Sequence, residues 1–182
     1  MTKDEFIEYC KYKGCKLTDD QFSGKEKIVN LLLVSLTEIP EGFNPVVGGS
    51  LNLSSLTSIS KEFNPKVGGS LTLNSLTSIP KEFNPMVNGD LFLDGLTSIS
   101  KEFNPEVGGS LTLSSLTSIP KEFNPMVNGD LFLDGLKEIP ENLNLSKVIW
   151  CVYIGAGSGD DDGNGKLFEN IKPMLEFINF QI

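Results

Sequence analysis

Residues 71–90 read LTLNSLTSIPKEFNPMVNGD, and this 20-residue phrase decides the fold because it returns along the chain without an insertion. Copies of it run from Leu31 through residue 130, and a degenerate copy covers 131–150. Self-similarity at a fixed period is typical of repeat architectures, in which each unit buries its apolar side only against its neighbours. The sequence therefore predicts a solenoid of stacked coils, where one coil is one 20-residue repeat.

Apolar residues occupy the same places in every coil, so they stack in columns. The alternating run 67–73 predicts a strand with Val67, Leu71 and Leu73 on its inner face. The rest of the repeat holds prolines and few helix formers, which predicts turns instead of a crossover helix. We therefore predict a mainly β protein, a parallel β-solenoid with one strand per coil. The predicted inner columns are Leu51, Leu71, Leu91, Leu111 and Leu131; Leu53, Leu73, Leu93, Leu113 and Leu133; Ile59, Ile79, Ile99 and Ile119; and Phe63, Phe83, Phe103 and Phe123.

Polar and glycine positions recur at the corners of the repeat. The asparagine of each Phe-Asn-Pro turn is expected to form a stacked amide ladder that satisfies backbone groups of the turn. The recurrent glycine before each Leu-x-Leu run is expected to mark a bend or a close backbone approach. These residues are Asn44, Asn64, Asn84, Asn104 and Asn124, and Gly69, Gly89, Gly109 and Gly129.

The phrase L-x-L-x-x-L-x-x-I-P at this period resembles the short leucine-rich repeats of bacterial and bacteriophage proteins, over about residues 31–150. It departs from the usual L-x-x-L-x-L-x-x-N-x-L phrase, since Gly69 stands where a leucine is expected. The resemblance implies a solenoid of the leucine-rich-repeat type, either a curved horseshoe or a straighter stack. Because leucine-rich-repeat proteins mostly bind other proteins, it also implies a protein partner.

The segments on either side of the repeats have the character of caps. The predicted divisions are an N-terminal helical cap (1–30), a solenoid of six repeats (31–150) and a C-terminal cap with an acidic loop and a helix (151–182). Thr2 and Glu5 form a capping-box pattern that opens a helix, with Phe6 and Cys10 over the apolar end of the first coil. The apolar run 148–154 predicts a last buried strand.

The charged residues exclude several kinds of chemistry. The chain has 15 basic residues, all lysine, against 24 acidic ones, and its net charge is −9. Without histidine there is no imidazole for proton transfer or zinc binding, and without arginine there is no bidentate fork for phosphates or guanine. We therefore expect no enzyme, no cofactor and no direct binding of nucleic acid. Residues 1–30 carry six lysines and six acids, so the whole excess of negative charge lies beyond them.

Alternate coils differ in sequence, so the chain also has a longer repeat of 40 residues, or two coils. The run Asp-Leu-Phe-Leu-Asp occurs at 90–94 and again at 130–134. If the leucines face inward, alternation turns the other side chains outward, and the two phenylalanines lie about 10 Å apart. We predict a partner-binding surface here. The alternative is a face that is solvated or covered by a terminal segment, with a pattern copied by duplication. Its residues are Phe92, Phe132, Asp90, Asp94, Asp130 and Asp134.

Two further features carry weaker predictions. The acidic loop with Asp160, Asp162 and Asn164 matches the start of a calcium-binding loop, but Ile171 stands where the bidentate glutamate belongs, so a plain acidic loop is favoured and no metal is predicted. A column of Lys-Glu pairs, beginning with Lys61 and Glu62, is expected to be a solvated edge.

The cellular setting follows from what the sequence does not contain. Three cysteines at no metal-like spacing favour reduced thiols, with a Cys10–Cys15 bridge as an alternative. The N-terminus lacks the apolar run of a signal peptide, and no stretch reaches the roughly 18 apolar residues of a membrane span. We therefore expect a cytoplasmic protein without membrane association, monomeric or weakly self-associating.

Three functions remain open at this point. The first is a non-catalytic protein-binding module that uses the strand face of the solenoid. The second is an acidic decoy that inhibits a nucleic-acid-binding protein, of a phage or mobile-element kind. The third is a structural element that self-assembles, because near-identical coils stack easily end to end.

Overall fold

The computed structural model describes residues 1–137, 140, 143–148 and 152–154. In this part of the chain, two short helices precede a series of very short strands. The helices are α1 (Lys3–Tyr12) and α2 (Asp19–Phe22). The strands are β1 (Lys27–Ile28), β2 (Leu31–Leu32), β3 (Val46–Val47), β4 (Leu51–Asn52), β5 (Lys66–Val67), β6 (Leu71–Thr72), β7 (Met86–Val87), β8 (Leu91–Phe92), β9 (Glu106–Val107), β10 (Leu111–Thr112), β11 (Met126–Val127), β12 (Leu131–Leu133) and β13 (Val152–Ile154).

The strands form two parallel sheets that run the length of the stack. The six-stranded sheet has the order β1-β3-β5-β7-β9-β11, and the seven-stranded sheet has the order β13-β12-β10-β8-β6-β4-β2. Strands of successive coils pair in parallel with a shift of 20 residues, as Leu71 does with Leu91. The prediction of a mainly β, parallel β-solenoid with a 20-residue repeat is confirmed.

The prediction of one strand per coil is wrong. The run 67–73 does not continue straight; it divides into β5 in one sheet and β6 in the other. Val67, Leu71 and Leu73 all face inward, as predicted, but the chain turns a corner between the first two. Inward-facing residues alone do not reveal the corner, because a bend at the glycines and a straight strand both place Val67 and Leu71 on the inner side.

Glycine is required at that corner because successive coils touch there through their backbones. A Cβ at Gly69 would lie 2.8 Å from the carbonyl carbon of Gly49, and one at Gly89 would lie 2.7 Å from that of Gly69. Real Cβ contacts are essentially never this short. The predicted close approach at these glycines is therefore confirmed, and it is repeated in each coil.

The core consists of columns of side chains that run through the stack. The two predicted leucine columns are 0 % exposed from β4 to β12, and so is the phenylalanine column from Phe63 to Phe123. The isoleucine column is less buried than predicted: Ile59, Ile79 and Ile99 only pack against the core from its border. A further leucine column, Leu56, Leu76, Leu96 and Leu116, is 0 % exposed in their place.

The phenylalanine rings form a continuous stack. The centroids of the Phe63 and Phe83 rings are 6.2 Å apart, and those of Phe83 and Phe103 are 6.3 Å apart. The planes of these neighbours differ by 3° and 4°. The near-identity of the coils is what keeps the rings parallel, since each ring enters from the same turn.

A ladder of asparagines follows the Phe-Asn-Pro turns, as predicted. The side-chain oxygen of Asn44 accepts a hydrogen bond from the backbone N–H of Asn64 at 3.0 Å, and Asn64 does the same for Asn84 at 2.7 Å. The Nδ2 groups of Asn64 and Asn84 donate to the carbonyl oxygens of Glu82 and Glu102, at 2.9 and 3.0 Å. Each amide therefore joins its own turn to the next coil.

The N-terminal helix begins and ends as predicted. Thr2 and Glu5 form the capping box of α1, and Gly14 with a φ of +78° follows its end. Phe6 and Cys10 are 0 % exposed, and the Phe6 ring lies 4.7 Å from that of Phe43 in the first coil. The helix therefore closes the apolar interior between the two sheets.

The short helix α2 was not predicted. It has its own capping box, in which Thr18 accepts from the N–H of Gln21 while the Gln21 side chain accepts from the N–H of Thr18. Its Phe22 is buried, with its ring 5.4 Å from that of Phe43.

The described residues near the C-terminal end extend both sheets. Val148 makes an isolated parallel bridge to Val127 in one sheet, and β13 pairs with β12 in the other. The predicted last strand over 148–154 is therefore divided between the two sheets in its described positions. The predicted acidic loop and C-terminal helix lie outside the described residues.

Candidate functional site

The predicted aromatic surface lies on the outer face of the seven-stranded sheet. Pairing places one outward residue of each strand from β2 to β12 in a single row, which we call the outer row: Leu32, Asn52, Thr72, Phe92, Thr112 and Phe132. Phe92 is half-buried, whereas Leu91 and Leu93 on either side of it are 0 % exposed. Phe132 has the same setting two strands away, at a spacing of about 10 Å. The sequence prediction about which way these residues point is confirmed.

Thr112 lies between the two phenylalanines in the outer row. Its hydroxyl oxygen is buried and has no hydrogen-bond partner among the described residues. A buried hydroxyl without a partner costs about 1–3 kcal/mol. The described structure therefore has an unsatisfied hydroxyl group between Phe92 and Phe132.

The four aspartates do not form a simple ring of outward carboxylates. All are half-buried. The Asp90 carboxylate accepts a hydrogen bond from the backbone N–H of Ser110 at 2.8 Å, and the Asp134 carboxylate accepts one from the Ser114 hydroxyl at 3.1 Å. Asp130 donates its backbone N–H to the Ser110 hydroxyl at 3.1 Å. Some of their hydrogen-bonding capacity therefore serves the stacking of coils.

Asp90 belongs to a second ladder of side-chain oxygens that sequence reasoning missed. In this ladder each oxygen accepts from the backbone N–H of the next coil: Asn30 from Ser50, Ser50 from Ser70, Ser70 from Asp90, Asp90 from Ser110 and Ser110 from Asp130. The signal was present in the sequence, since this position holds Ser, Asp or Asn at every repeat from 30 to 130. Asp90 therefore has a structural role besides its place beside Phe92.

The outer face of the six-stranded sheet carries a second apolar feature, which was also missed. Met86 and Met126 are 50 % and 45 % exposed, with exposed Glu106 between them in the register. Together with Asn88 and Asn128 they line a shallow depression. Each methionine precedes one of the two outward phenylalanines by six residues, so the 40-residue pattern marks both faces.

The Lys-Glu column lies along an exposed edge, as predicted. Lys61 and Glu62 approach to 3.7 Å, and Lys81 and Glu82 to 3.9 Å, with all four side chains well exposed. Exposed pairs of this kind contribute about 0–1 kcal/mol. The column is therefore no candidate for a binding site.

Cys10 and Cys15 are free thiols in the structure, so the predicted reduced state holds for them. Burial raises the pKa of the Cys10 thiol to about 12, with a further contribution from Cys15 nearby. Burial also raises the pKa of Cys15. Both thiols are thereby kept protonated near neutral pH.

Metal ligands and membrane spans were sought only in the described part of the chain. No group of three or more Asp, Glu, Cys or His side chains suited to a metal ion occurs there. The weak calcium candidates Asp160, Asp162 and Asn164 lie outside it. Among the same residues, no helix has the length and apolar character needed to cross a membrane.

Comparison with known proteins adds no relative to this picture. No protein-family model, no curated protein and no solved structure matches the chain.

Proposed function

We propose that this protein is a non-catalytic protein-binding module whose contact surface is the outer face of the seven-stranded sheet around Phe92 and Phe132. The observation that carries the proposal is their arrangement: two aromatic side chains in one row, half-buried, about 10 Å apart on a rigid stack of strands. Aromatic side chains are enriched in protein interfaces, and a few of them supply most of the binding energy.

The environment of the two rings supports this reading. Thr112, which is half-buried, lies between them in the outer row. The carboxylates of Asp94 and Asp134, two residues beyond each ring, supply polar groups at the border of the surface. An apolar centre with a polar border is the usual anatomy of a protein interface.

The test compares three forms of the protein as capture reagents on lysate of the source organism. The intact chain is compared with Phe92→Ser/Phe132→Ser and with Met86→Ser/Met126→Ser. The second variant removes two apolar side chains six residues before the phenylalanines, from the other sheet. Loss of one defined partner by the phenylalanine variant alone, with all three forms folded by circular dichroism, is the expected result. If all three forms capture the same partner equally well, the aromatic surface is not the binding site.

A second candidate function is that of an acidic decoy for a nucleic-acid-binding protein. It is favoured by one observation: residues 86–94 and 126–134 each contain two aspartates and no lysine. Binding driven by charge weakens steeply with salt, because ions screen exposed charges. A partner released between low and moderate salt would support the decoy, and one retained would support the aromatic surface.

The setting of the protein is part of the same proposal. The repeat phrase supports kinship with the leucine-rich repeats of bacterial or bacteriophage proteins. The lack of histidine and arginine supports a role without catalysis or cofactor.

A further inference from the structure

Strand β2 is the outermost strand of the seven-stranded sheet at its N-terminal end. The N–H groups of Leu31 and Leu33 donate to the carbonyl oxygens of Ser50 and Asn52 in the direction of β4, at 3.0 and 2.8 Å. Bonding direction alternates along a strand in a parallel ladder, so the N–H and C=O of Leu32 point away from β4. In the described part of the chain no strand pairs with that side of β2.

The side chains of this first coil are also unlike those of the later ones. Val29, Leu32 and Val34 are 78 %, 63 % and 50 % exposed. The next two coils place Asn52 and Thr72 at the position of Leu32, and Ser54 and Asn74 at the position of Val34. The first coil therefore replaces polar outward residues with apolar ones.

Free edges of natural sheets are normally protected by charges, prolines or bulges, because an unprotected edge pairs with another strand. The segment 29–36 reads VNLLLVSL and contains no charge and no proline. The helices leave Leu32 open: the Tyr9 hydroxyl of α1 lies 3.1 Å from that of Ser35 at the end of the segment, but α1 sends Phe6 and Cys10 into the core and Leu32 stays 63 % exposed with both helices in place. This edge therefore has the properties of an interface.

We propose that β2 pairs with β2 of a second copy of this chain, so that two seven-stranded sheets join edge to edge about a twofold axis. The two strands run antiparallel by symmetry, and Leu32 exchanges both backbone hydrogen bonds with Leu32 of the partner subunit. Leu32 of each copy then lies opposite its own counterpart, and Val34 of each copy lies diagonally beside Leu32 of the partner subunit. The pairing is isologous and closed, so it produces a dimer and no fibre.

The distribution of charge favours a second copy as the occupant. The chain as a whole is at −9, and two such molecules repel each other at most orientations. Residues 1–30, which lie beside β2, carry six lysines and six acids. Contact through the N-terminal ends therefore brings together a part of the chain that carries no net charge, and screening at moderate salt further reduces the repulsion.

This dimer is independent of the proposed aromatic surface. Leu32 lies three strands from Phe92 in the outer row, about 14 Å away, and the outer face of the sheet stays open on both copies. Failure of the dimer would leave the proposed function untouched, and the reverse also holds.

The first measurement is the mass in solution by light scattering, over about a hundredfold range of protein concentration. We expect the intact chain to reach twice its 19.9 kDa at the upper end. Leu32→Lys/Val34→Lys places two charges on the edge and is expected to stay at the single-chain mass throughout. The matched control Thr72→Lys/Asn74→Lys places the same charges at the same positions two coils further along, and is expected to dimerise as the intact chain does.

The second measurement is crosslinking under mild oxidation. Paired residues that exchange both hydrogen bonds have Cα atoms about 5.5 Å apart, within the range of about 4.4–6.8 Å that a disulfide bridges. Leu32→Cys is therefore expected to form a covalent dimer, while Thr72→Cys and the intact chain, with its own cysteines, are not.

Three outcomes would overturn the proposal. One is an intact chain that stays at the single-chain mass at every concentration. The second is a dimer that persists in Leu32→Lys/Val34→Lys, since the contact would then lie elsewhere. The third is equal crosslinking of Leu32→Cys and Thr72→Cys. If the intact chain is monomeric while its Leu32 amide is protected from hydrogen exchange, a segment of the same chain occupies the edge instead.

Discussion

Truncation of one ring in the phenylalanine stack tests the idea that the coils are held together mainly by their columns. Phe83 is 0 % exposed and lies between the rings of Phe63 and Phe103, at 6.2 and 6.3 Å. The substitution Phe83→Ala removes the ring and leaves a gap that the neighbouring coils cannot fill, because their glycine corners already touch. The cavity therefore remains open.

The expected loss can be estimated from that environment. Truncation of a buried phenylalanine to alanine costs about 3–5 kcal/mol, and each of the two ring contacts is worth about 0.5–1.5 kcal/mol. A cavity that cannot collapse gives a cost at the upper end of the range of about 3–5 kcal/mol. We therefore expect Phe83→Ala to lower the free energy of unfolding by about 5 kcal/mol. Since natural domains have about 5–15 kcal/mol in total, the variant should be close to unfolding.

The assay is urea denaturation followed by circular dichroism, with two companions for comparison. Met86→Ala changes a residue of the same coil that is 50 % exposed, and it should cost about 0.5 kcal/mol. Phe83→Leu should cost less than alanine, since Leu143 fills the equivalent position of the last coil and is 9 % exposed there. If Phe83→Ala costs no more than Met86→Ala, the columns do not hold the coils together and the reasoning fails.

Three further substitutions and one labelling experiment probe the other features. Asn84→Ala removes an acceptor for the N–H of the next coil at 2.7 Å and a donor to a carbonyl at 3.0 Å, and should cost about 2 kcal/mol of unfolding free energy. Gly89→Ala should cost about 1–3 kcal/mol, because the new Cβ would lie 2.7 Å from the backbone of the preceding coil. Thr112→Val removes a buried hydroxyl without a partner and should raise the free energy of unfolding by about 1 kcal/mol. In alkylation at pH 8.5, Cys15 should react before Cys10, since the Cys10 thiol has its pKa raised to about 12 and remains protonated at that pH.

Each of these expectations has a control within the chain. Gly14→Ala is the control for Gly89→Ala: its φ is +78° but nothing lies within 4 Å of a new Cβ, so only backbone strain is added. Thr72→Val is the control for Thr112→Val, because it makes the same change elsewhere in the outer row. An equal effect of Thr72→Val and Thr112→Val would contradict the reason given for Thr112, and the absence of any loss in Gly89→Ala would contradict the reason given for Gly89. For the thiols, alkylation of Cys10 in the folded protein as fast as in urea would show that burial does not suppress its thiolate.

Much of the fold could be predicted because the period of the repeat and its apolar positions are visible in the sequence. An insertion-free period of 20 residues forces every position to stack on its own copy, and only apolar positions tolerate being enclosed that way. The capping box of α1 could be read for a different reason: its two hydrogen bonds join Thr2 to Glu5 over three residues.

The features that could not be predicted depend on contacts between coils. The division of each coil between two sheets follows from the turn at the glycines. The sequence does not reveal this turn, because a straight strand and a strand with a corner would show the same pattern of inward residues. The role of Asp90 in the second ladder depends on its distance from Ser110 in the next coil. The exposure of Leu32 depends on where α1 lies, and a leucine in a run of leucines gives no sign of facing outward.

The sequence by itself therefore determined the period, the columns that fill the core, and the outward direction of Phe92 and Phe132, because local alternation and exact repetition suffice for these. Only the tertiary structure decided that each coil has two strands, that Thr112 has a buried hydroxyl without a partner, and that β2 is a free apolar edge. The physical reason is that pairing and burial are properties of neighbours in space. In a solenoid those neighbours lie 20 residues away, except at the two ends, where the repeat no longer specifies what covers the last strand.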